Sequence, residues 1–219
     1  LLAPARVEDR LQPMSVTQIS KRPAKSSSSS SQELVRSQDA RELVFAVVGH
    51  LGAGTSKIAK TLKNILEASD YDVAVIKARD VLGSWAKEQG QNIGPYHSQK
   101  SVEQVTQYQD LGDEMRREDR AAVAKGMIGE IRRTRAQKQG QTDLPVSDEV
   151  VTPDGTRRAY ILDSIRHPDE VELLRSVYGD AFILIGVVCD EQVRIQRLTK
   201  NVQGAGQLDA KNLIQRDAE

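Results

Sequence analysis

The residues best placed to do chemistry form one run, Gly49-His50-Leu51-Gly52-Ala53-Gly54-Thr55-Ser56. An apolar stretch precedes it and a helical pattern follows. In that context backbone N–H groups curl around a phosphate, and the helix N-terminus faces the negative charge. The spacing fits G-x-x-x-x-G-K-[ST] with one substitution, because Thr55 stands where the lysine belongs. Gly49, Gly52, Ala53, Gly54, Thr55 and Ser56 are therefore candidate contacts to the phosphates of a nucleoside triphosphate. The Ser56 hydroxyl is the expected Mg²⁺ ligand. Lys57 is no substitute for the missing lysine, since two residues along a helix turn its side chain about 200° away. The lost charge normally meets the β- and γ-phosphates. Its absence costs a few kcal/mol, or several decades in rate, unless another cation serves. Lys77 and Arg79, at the end of the next strand, are the nearest by topology. A glycine turn that only packs a strand on a helix has the same composition.

A second candidate is Asp163, which ends the apolar run Tyr160-Ile161-Leu162. Beside a phosphate loop, an aspartate in that position holds Mg²⁺ through water. The alternative is that Asp163 caps the helix starting at Pro168, although Ser164 or His167 would serve as well.

These groups need a frame. Residues 43–48 and 73–77 read as buried strands, and 57–68 as a helix with Ile58, Leu62, Ile65 and Leu66 on one face. Residues 102–108 and 113–138 read as helices, the second with Ala124, Met127, Ile128 and Ile131 at core spacing. Residues 139–158 look irregular, with a Pro153-Asp154-Gly155 turn that would close a hairpin. A short strand at 160–162, a helix at 168–177, a strand at 182–188 and a helix at 191–200 follow. Strands this apolar are buried on both faces. With helices between them they predict a parallel sheet in a three-layer α/β/α sandwich. Residues 1–40 differ, with Pro4, Pro13, Pro23 and a serine run from Ser26 to Ser31. They read as a disordered arm with too few apolar groups to offset its ordering entropy. Residues 210–219 look like a helix without a C-cap, so the domain at 41–219 is expected to be C-terminally truncated.

Composition sets outer bounds. Among 219 residues, thirty-one Lys and Arg balance thirty-one Asp and Glu, so the chain lacks the global basic field of a non-specific nucleic-acid binder. A local basic groove stays compatible with that balance. The longest apolar run, 181–189, falls far short of a bilayer span. The charged start LLAPARVEDR does not read as a signal peptide. A single cysteine, Cys189, excludes internal disulfides and thiolate-rich zinc sites, and a cytoplasmic location is expected. Cys189 itself reads as a small buried hydrophobe.

Two resemblances extend this reading. Gly112-Asp113-Glu114-Met115-Arg116 and Asp163-Ser164-Ile165-Arg166-His167-Pro168-Asp169-Glu170 resemble the G-D/N-x-x-R and D-x-x-R-x-x-x-E segments of small P-loop nucleotide kinases. The likeness implies substrate-binding roles for Asp113, Arg116 and Arg166 near an acceptor. It also implies a phosphate and metal role for Asp163. Arg194 and Arg197 resemble the start of an arginine lid over the phosphates, although a solvated helix face reads the same. An intrahelical ion pair is the plain alternative for Asp113 and Arg116. Asp80 lies near where some nucleoside kinases place a base. Trp85 and Tyr96 fall in the acceptor region, Trp85 more as core and Tyr96 as a stacking candidate.

More of the chain, from Leu43 to Glu219, resembles the N-terminal kinase-like domain of bacterial anti-phage dCTP/dCMP deaminases. The runs that carry this likeness are LVFAVVG, ILDSIRHPDEVELLRSVYGDAFILIGVVCDE and NLIQRDAE. It implies a nucleotide-binding sensor domain preceding a zinc-dependent deaminase that depletes deoxycytidine nucleotides. A zinc deaminase needs His- or Cys-x-Glu and Pro-Cys-x-x-Cys. None of His50, His97 or His167 has Glu two residues on, so zinc is expected only in a domain beyond these residues. Expected partners are a nucleotide, the C-terminal deaminase domain, further copies of the chain, and a regulatory RNA or phage factor, with no membrane. An active nucleoside or nucleotide kinase is the alternative, and a non-binding oligomerisation scaffold a third.

Overall fold

The computed structural model describes residues 41–91, 93, 100–141 and 150–218. All fall within the unit Ala40–Glu219. The expected arm at 1–40 lies outside the described residues, as does Tyr96.

Four strands make one parallel sheet: β1 (Glu42–Val48), β2 (Asp72–Lys77), β4 (Arg158–Ile165) and β5 (Phe182–Gly186), in the order β2-β4-β1-β5. Between them run α1 (Thr55–Glu67), α2 (Ala78–Glu88), α3 (Val102–Glu118), α4 (Ala122–Lys138) and α5 (Pro168–Tyr178). After β5 come α6 (Glu191–Asn201) and α7 (Gln207–Arg216). A two-residue parallel pair, β3 (Lys100–Ser101) with β6 (Val202–Gln203), joins the chain before α3 to the chain after α6.

Strand periodicity explains the three layers. Val44 and Ala46 point to one face of β1, where α2, α4 and α5 supply Val81, Met127 and Leu174. Phe45 and Val47 point to the other face, where α1 supplies Ala59 and Leu66. Tyr160 and Leu162 of β4 follow the first set, and Ala159 and Ile161 the second. Both faces are buried, as the near-continuous apolar strands demand. A third cluster joins Val105 of α3 and Leu198 of α6 to Ala210, Leu213 and Ile214 of α7. The α/β/α expectation therefore holds.

Connections decide where a ligand can sit. β1 leads through α1 on one face to β2, while β4 leads through α5 on the other face to β5. Neighbouring strands whose outgoing chains part to opposite faces leave a crevice at their carboxyl ends. The amino-terminal end of the sheet is closed by ion pairs. Arg135 Nη2 meets Glu42 Oε2 at 2.6 Å, and Arg158 Nη1 meets Asp154 Oδ1 at 2.6 Å.

Several boundaries differ from expectation. The helix read at 113–138 is two, broken where Asp119 adopts an extended backbone (φ −151°, ψ 112°) and its Oδ1 accepts the Ala121 N–H at 2.9 Å. The first of the two starts at Val102 and passes unbroken through Gly112. At 153–155, Asp154 Oδ1 takes the Thr156 N–H at 3.0 Å, and no strand pair forms there among the described residues. Among these residues no helix is long and apolar enough to cross a membrane.

Helix α4 crosses α2 so closely that a Cβ on Gly126 would lie 2.3 Å from Val81 Cγ1. Gly126→Ala is expected to lower stability by roughly 1–3 kcal/mol through overpacking, despite alanine's better helix propensity. Urea denaturation measures the loss. Adding Val81→Ala should show a favourable coupling between the two sites. A Gly126→Ala protein as stable as wild type would contradict this packing.

Candidate functional site

Each glycine of the loop is required by its surroundings. A Cβ on Gly49 would sit 2.7 Å from the Val187 carbonyl oxygen, so only glycine passes between β1 and the chain leaving β5. Gly52 and Gly54 have φ of +80° and +102°, the left-handed region that penalises other residues. The Ala53 N–H donates to the His50 carbonyl at 2.9 Å and closes the turn. Helix α1 starts directly afterwards. Its N-cap is Gly54, no side chain caps it, and its first turn holds no acid. The Lys57 N–H bonds back to the Gly54 carbonyl at 3.0 Å, and the N–H groups of Thr55 and Ser56 before it face an outside acceptor, with the helix dipole favouring an anion.

Parallel pairing of β1 with β4 brings the second candidate alongside. Val47 pairs with Asp163 and Val48 with Ile165, so Ser164 is an extra residue that bulges β4 at its carboxyl end. Asp163 is buried at 8% exposure. The Ser56 hydroxyl donates to Asp163 Oδ2 at 2.8 Å. The competing role for Asp163, capping α5, is already filled. His167 Nδ1 accepts the Asp169 N–H at 3.1 Å, and Glu170 Oε2 accepts the His167 N–H at 3.1 Å. Lys77 pairs in register with Asp163 on the neighbouring strand and lines the same crevice. Lys57 is exposed and does not line it.

The crevice is a cleft of about 690 Å³, the size of a small-molecule site. Its walls carry Lys77, Arg79, Lys100, Arg116, Arg166, Arg197 and Arg216 against Asp113, Asp163 and Asp217. A chain without net charge has thus placed seven of its thirty-one Lys and Arg residues around one cavity against three aspartates, which suits an anionic ligand.

The arginines differ in their work. Arg197 Nη1 donates to the Ala53 carbonyl at 2.8 Å and lies 3.4 Å from Cys189 Sγ, which fixes α6 to the glycine loop. Arg194 is buried behind that loop, its backbone oxygen 3.1 Å from where a Gly52 Cβ would be, and it does not line the cleft. Of the expected lid pair, only Arg197 lines the cleft beside the glycine loop. Arg116 Nε donates to Glu170 Oε1 at 2.8 Å, and Glu170 is fully buried. Arg116 therefore braces α3 against α5 while its side chain also borders the cleft. Gly112 makes room for it, since a Cβ there would lie 2.8 Å from Arg116 Nη1. Arg166 keeps 35% of its side chain open to the cleft. It is otherwise packed around by protein, and desolvation, with Arg116 nearby, holds its guanidinium below the usual arginine range. Asp113 lines the cleft, whereas Asp80 points outward at 67% exposure and pairs with Arg79.

No protein-family model matches the chain, and no curated protein matches it significantly. The functional reading therefore rests on this geometry.

Two smaller expectations need adjustment. Cys189 is half-exposed instead of buried, because β5 ends at Gly186 and the chain turns outward through Val188, which is 98% exposed. Trp85 packs against the core, as its sequence context suggested. Sequence reasoning missed Lys100, Gln109, Arg216 and Asp217, which enter the cleft only through tertiary packing. No local pattern marks them.

Arg116→Met would leave the buried Glu170 carboxylate without its cation. The expected loss is roughly 3–5 kcal/mol in denaturant unfolding. A change within about 0.5 kcal/mol would show that the pair does not brace the fold, and would return Arg116 to a purely ligand-facing role.

Proposed function

We propose that this chain is a nucleotide-binding, kinase-like sensor domain that takes a nucleoside phosphate with Mg²⁺ through the loop 49–56 and Asp163. One observation carries this reading. An uncapped helix N-terminus, a serine hydroxyl and a buried aspartate, the last two joined at 2.8 Å, converge on a cation-lined cleft. Each element has an ordinary structural explanation alone. Together they supply what a magnesium-bound phosphate needs: N–H donors, hard oxygen ligands and surrounding positive charge.

The donor set, one hydroxyl and one carboxylate, consists of hard oxygens of the kind Mg²⁺ takes. Among the described residues no cluster of three His, Cys, Asp or Glu is positioned to hold a metal. Ser56 and Asp163 would supply the protein oxygens, with phosphate and water completing the shell, as Mg²⁺ prefers. Bound there, the ion would neutralise phosphate charge and orient the chain of phosphates. Arg197 sits against the loop, and Lys77 stands beside Asp163.

Slow chemistry follows from Thr55. Without the loop lysine, transition-state charge on a transferring phosphoryl group lacks its usual partner, a loss of about 3–4 kcal/mol. The domain is thus built to hold a nucleotide better than to turn it over. The likeness to the kinase-like domain of anti-phage deoxycytidine nucleotide deaminases gives such binding a purpose, reporting nucleotide state to an attached deaminase. The competing reading, an active kinase, draws on Lys77 and Arg197 as replacement cations and on Asp113 at an acceptor.

Calorimetric titration with ATP, GTP, dCTP and dCMP in Mg²⁺ tests the proposal. Wild type should bind at least one of them. Gly54→Asp, which sets a carboxylate where the phosphate belongs, should abolish binding. Asp163→Asn should retain binding but lose most of its Mg²⁺ dependence. No binding by any of the four would remove the phosphate-cradle reading. Phosphate transfer to a nucleoside or nucleotide acceptor at ordinary kinase rates, about 1–100 per second, would replace the sensor with the kinase.

A further inference from the structure

Helix α7 ends at Arg216, and its C-cap residue, Asp217, turns back into the cleft. The Asp217 side chain is only 1% exposed. Its Oδ2 accepts the Leu51 N–H at 2.6 Å, with His50 Nδ1 3.6 Å from the same oxygen. Arg166 Nη1 forms an ion pair with the other carboxylate oxygen, Oδ1. A buried carboxylate is costly unless donors and a cation replace its water, and here the glycine loop and Arg166 supply both.

Those partners are the ones a phosphate would use. Leu51 belongs to the limb of the loop opposite the α1 N-terminus, so one of the loop's own N–H groups already holds an anion. That anion is tethered to the chain.

We propose that Asp217 is an intramolecular competitor for phosphate that sets how long a phosphate chain the cradle accepts. This rests on the phosphate-cradle reading above and deepens it. A single phosphate at the α1 N-terminus leaves Leu51 to Asp217. A longer phosphate chain extends toward Leu51 and Arg166, meets a like charge there, and has to displace it. Displacement frees the end of α7 from the loop. The body of the helix stays in place, held by Gln109 Nε2 on the Leu213 carbonyl at 3.2 Å, by the pair between Arg216 and Asp110, and by its apolar cluster. The site thereby distinguishes triphosphate from monophosphate by what it does to residues 217–218.

The test titrates AMP, ADP and ATP, and the corresponding deoxycytidine nucleotides, into wild type, Asp217→Asn and Asp217→Ala with Mg²⁺. Asparagine keeps an oxygen for the Leu51 N–H but removes the charge, so it is the variant expected to fold unchanged. It should tighten triphosphate binding at least tenfold and monophosphate binding less than twofold. Wild type supplies an independent readout, because triphosphate should speed amide hydrogen exchange at Asp217 and Ala218, whose N–H groups bond the Leu213 and Gln215 carbonyls, while monophosphate should not. Triphosphate affinity that stays level or weakens in Asp217→Asn would overturn the competitor role. So would an equal gain for all three ligands, or exchange at Asp217 and Ala218 that is unchanged or slower. Binding by wild type with no such selectivity removes Asp217's role alone. Absence of binding by every variant removes the cradle, and this inference with it.

Discussion

Pairing of β1 with β4 puts the carboxyl ends of two apolar strands side by side, so the loop leaving one lies against a carboxylate near the end of the other. The rest of the site depends on that adjacency. Ser56 reaches Asp163 because Val47 and Asp163 are in register, and the bulge at Ser164 turns β4 just after that point. Gly49 has to be a glycine because the chain leaving β5 closes over the other side of β1. The core supports the arrangement from both faces, with Phe45 and Val47 against α1, and Val44 and Ala46 against the helices opposite. α1 is therefore aimed by its packing, not by a cap, and its N-terminus stays open to a ligand.

Charge distribution gives that opening its chemical meaning. The chain is neutral as a whole, yet its cleft is lined by a clear excess of lysine and arginine. Holding cations together in a half-enclosed space is unfavourable unless anions join them, and desolvation already presses on Arg166. Part of the compensation is internal. Glu170 takes Arg116, and Asp217 takes Arg166. What remains, around Lys77, the glycine loop and α1, is the portion to which the proposed function assigns a phosphate. Structural braces and ligand contacts are interleaved here, and Arg116 shows that a motif residue can serve the first role while bordering the second.

The sequence made the site's centre legible because that centre is built from local rules. Positive φ at Gly52 and Gly54, the apolar strand before them and the helix after them all leave marks within a dozen residues. Asp163 is marked in the same way, by the apolar run Tyr160-Ile161-Leu162 that it ends. The angular argument against Lys57 also held, since helix geometry alone places it outward. The periphery was less legible, for reasons that are tertiary. The break at Asp119 depends on a side-chain bond to Ala121 that hydrophobic periodicity does not register. Arg194 and Arg197 share one helix and one residue type, and only the docking of α6 on the loop separates them. The two-residue strands β3 and β6 are too short to have a period. Asp217 lies far from Leu51 in sequence, and its neighbours RDA carry no sign of the contact.

The most direct measurement replaces Mg²⁺ with paramagnetic Mn²⁺ and follows amide signals of the isotopically labelled protein with and without a bound nucleoside triphosphate. The account predicts nucleotide-dependent broadening centred on Gly54, Thr55, Ser56 and Asp163. Signals at the amino-terminal end of the sheet, around Glu42 and Arg158, should stay sharp. Broadening that ignores the nucleotide, or that centres away from the loop and Asp163, would contradict the claim that this cleft holds a metal-bound phosphate.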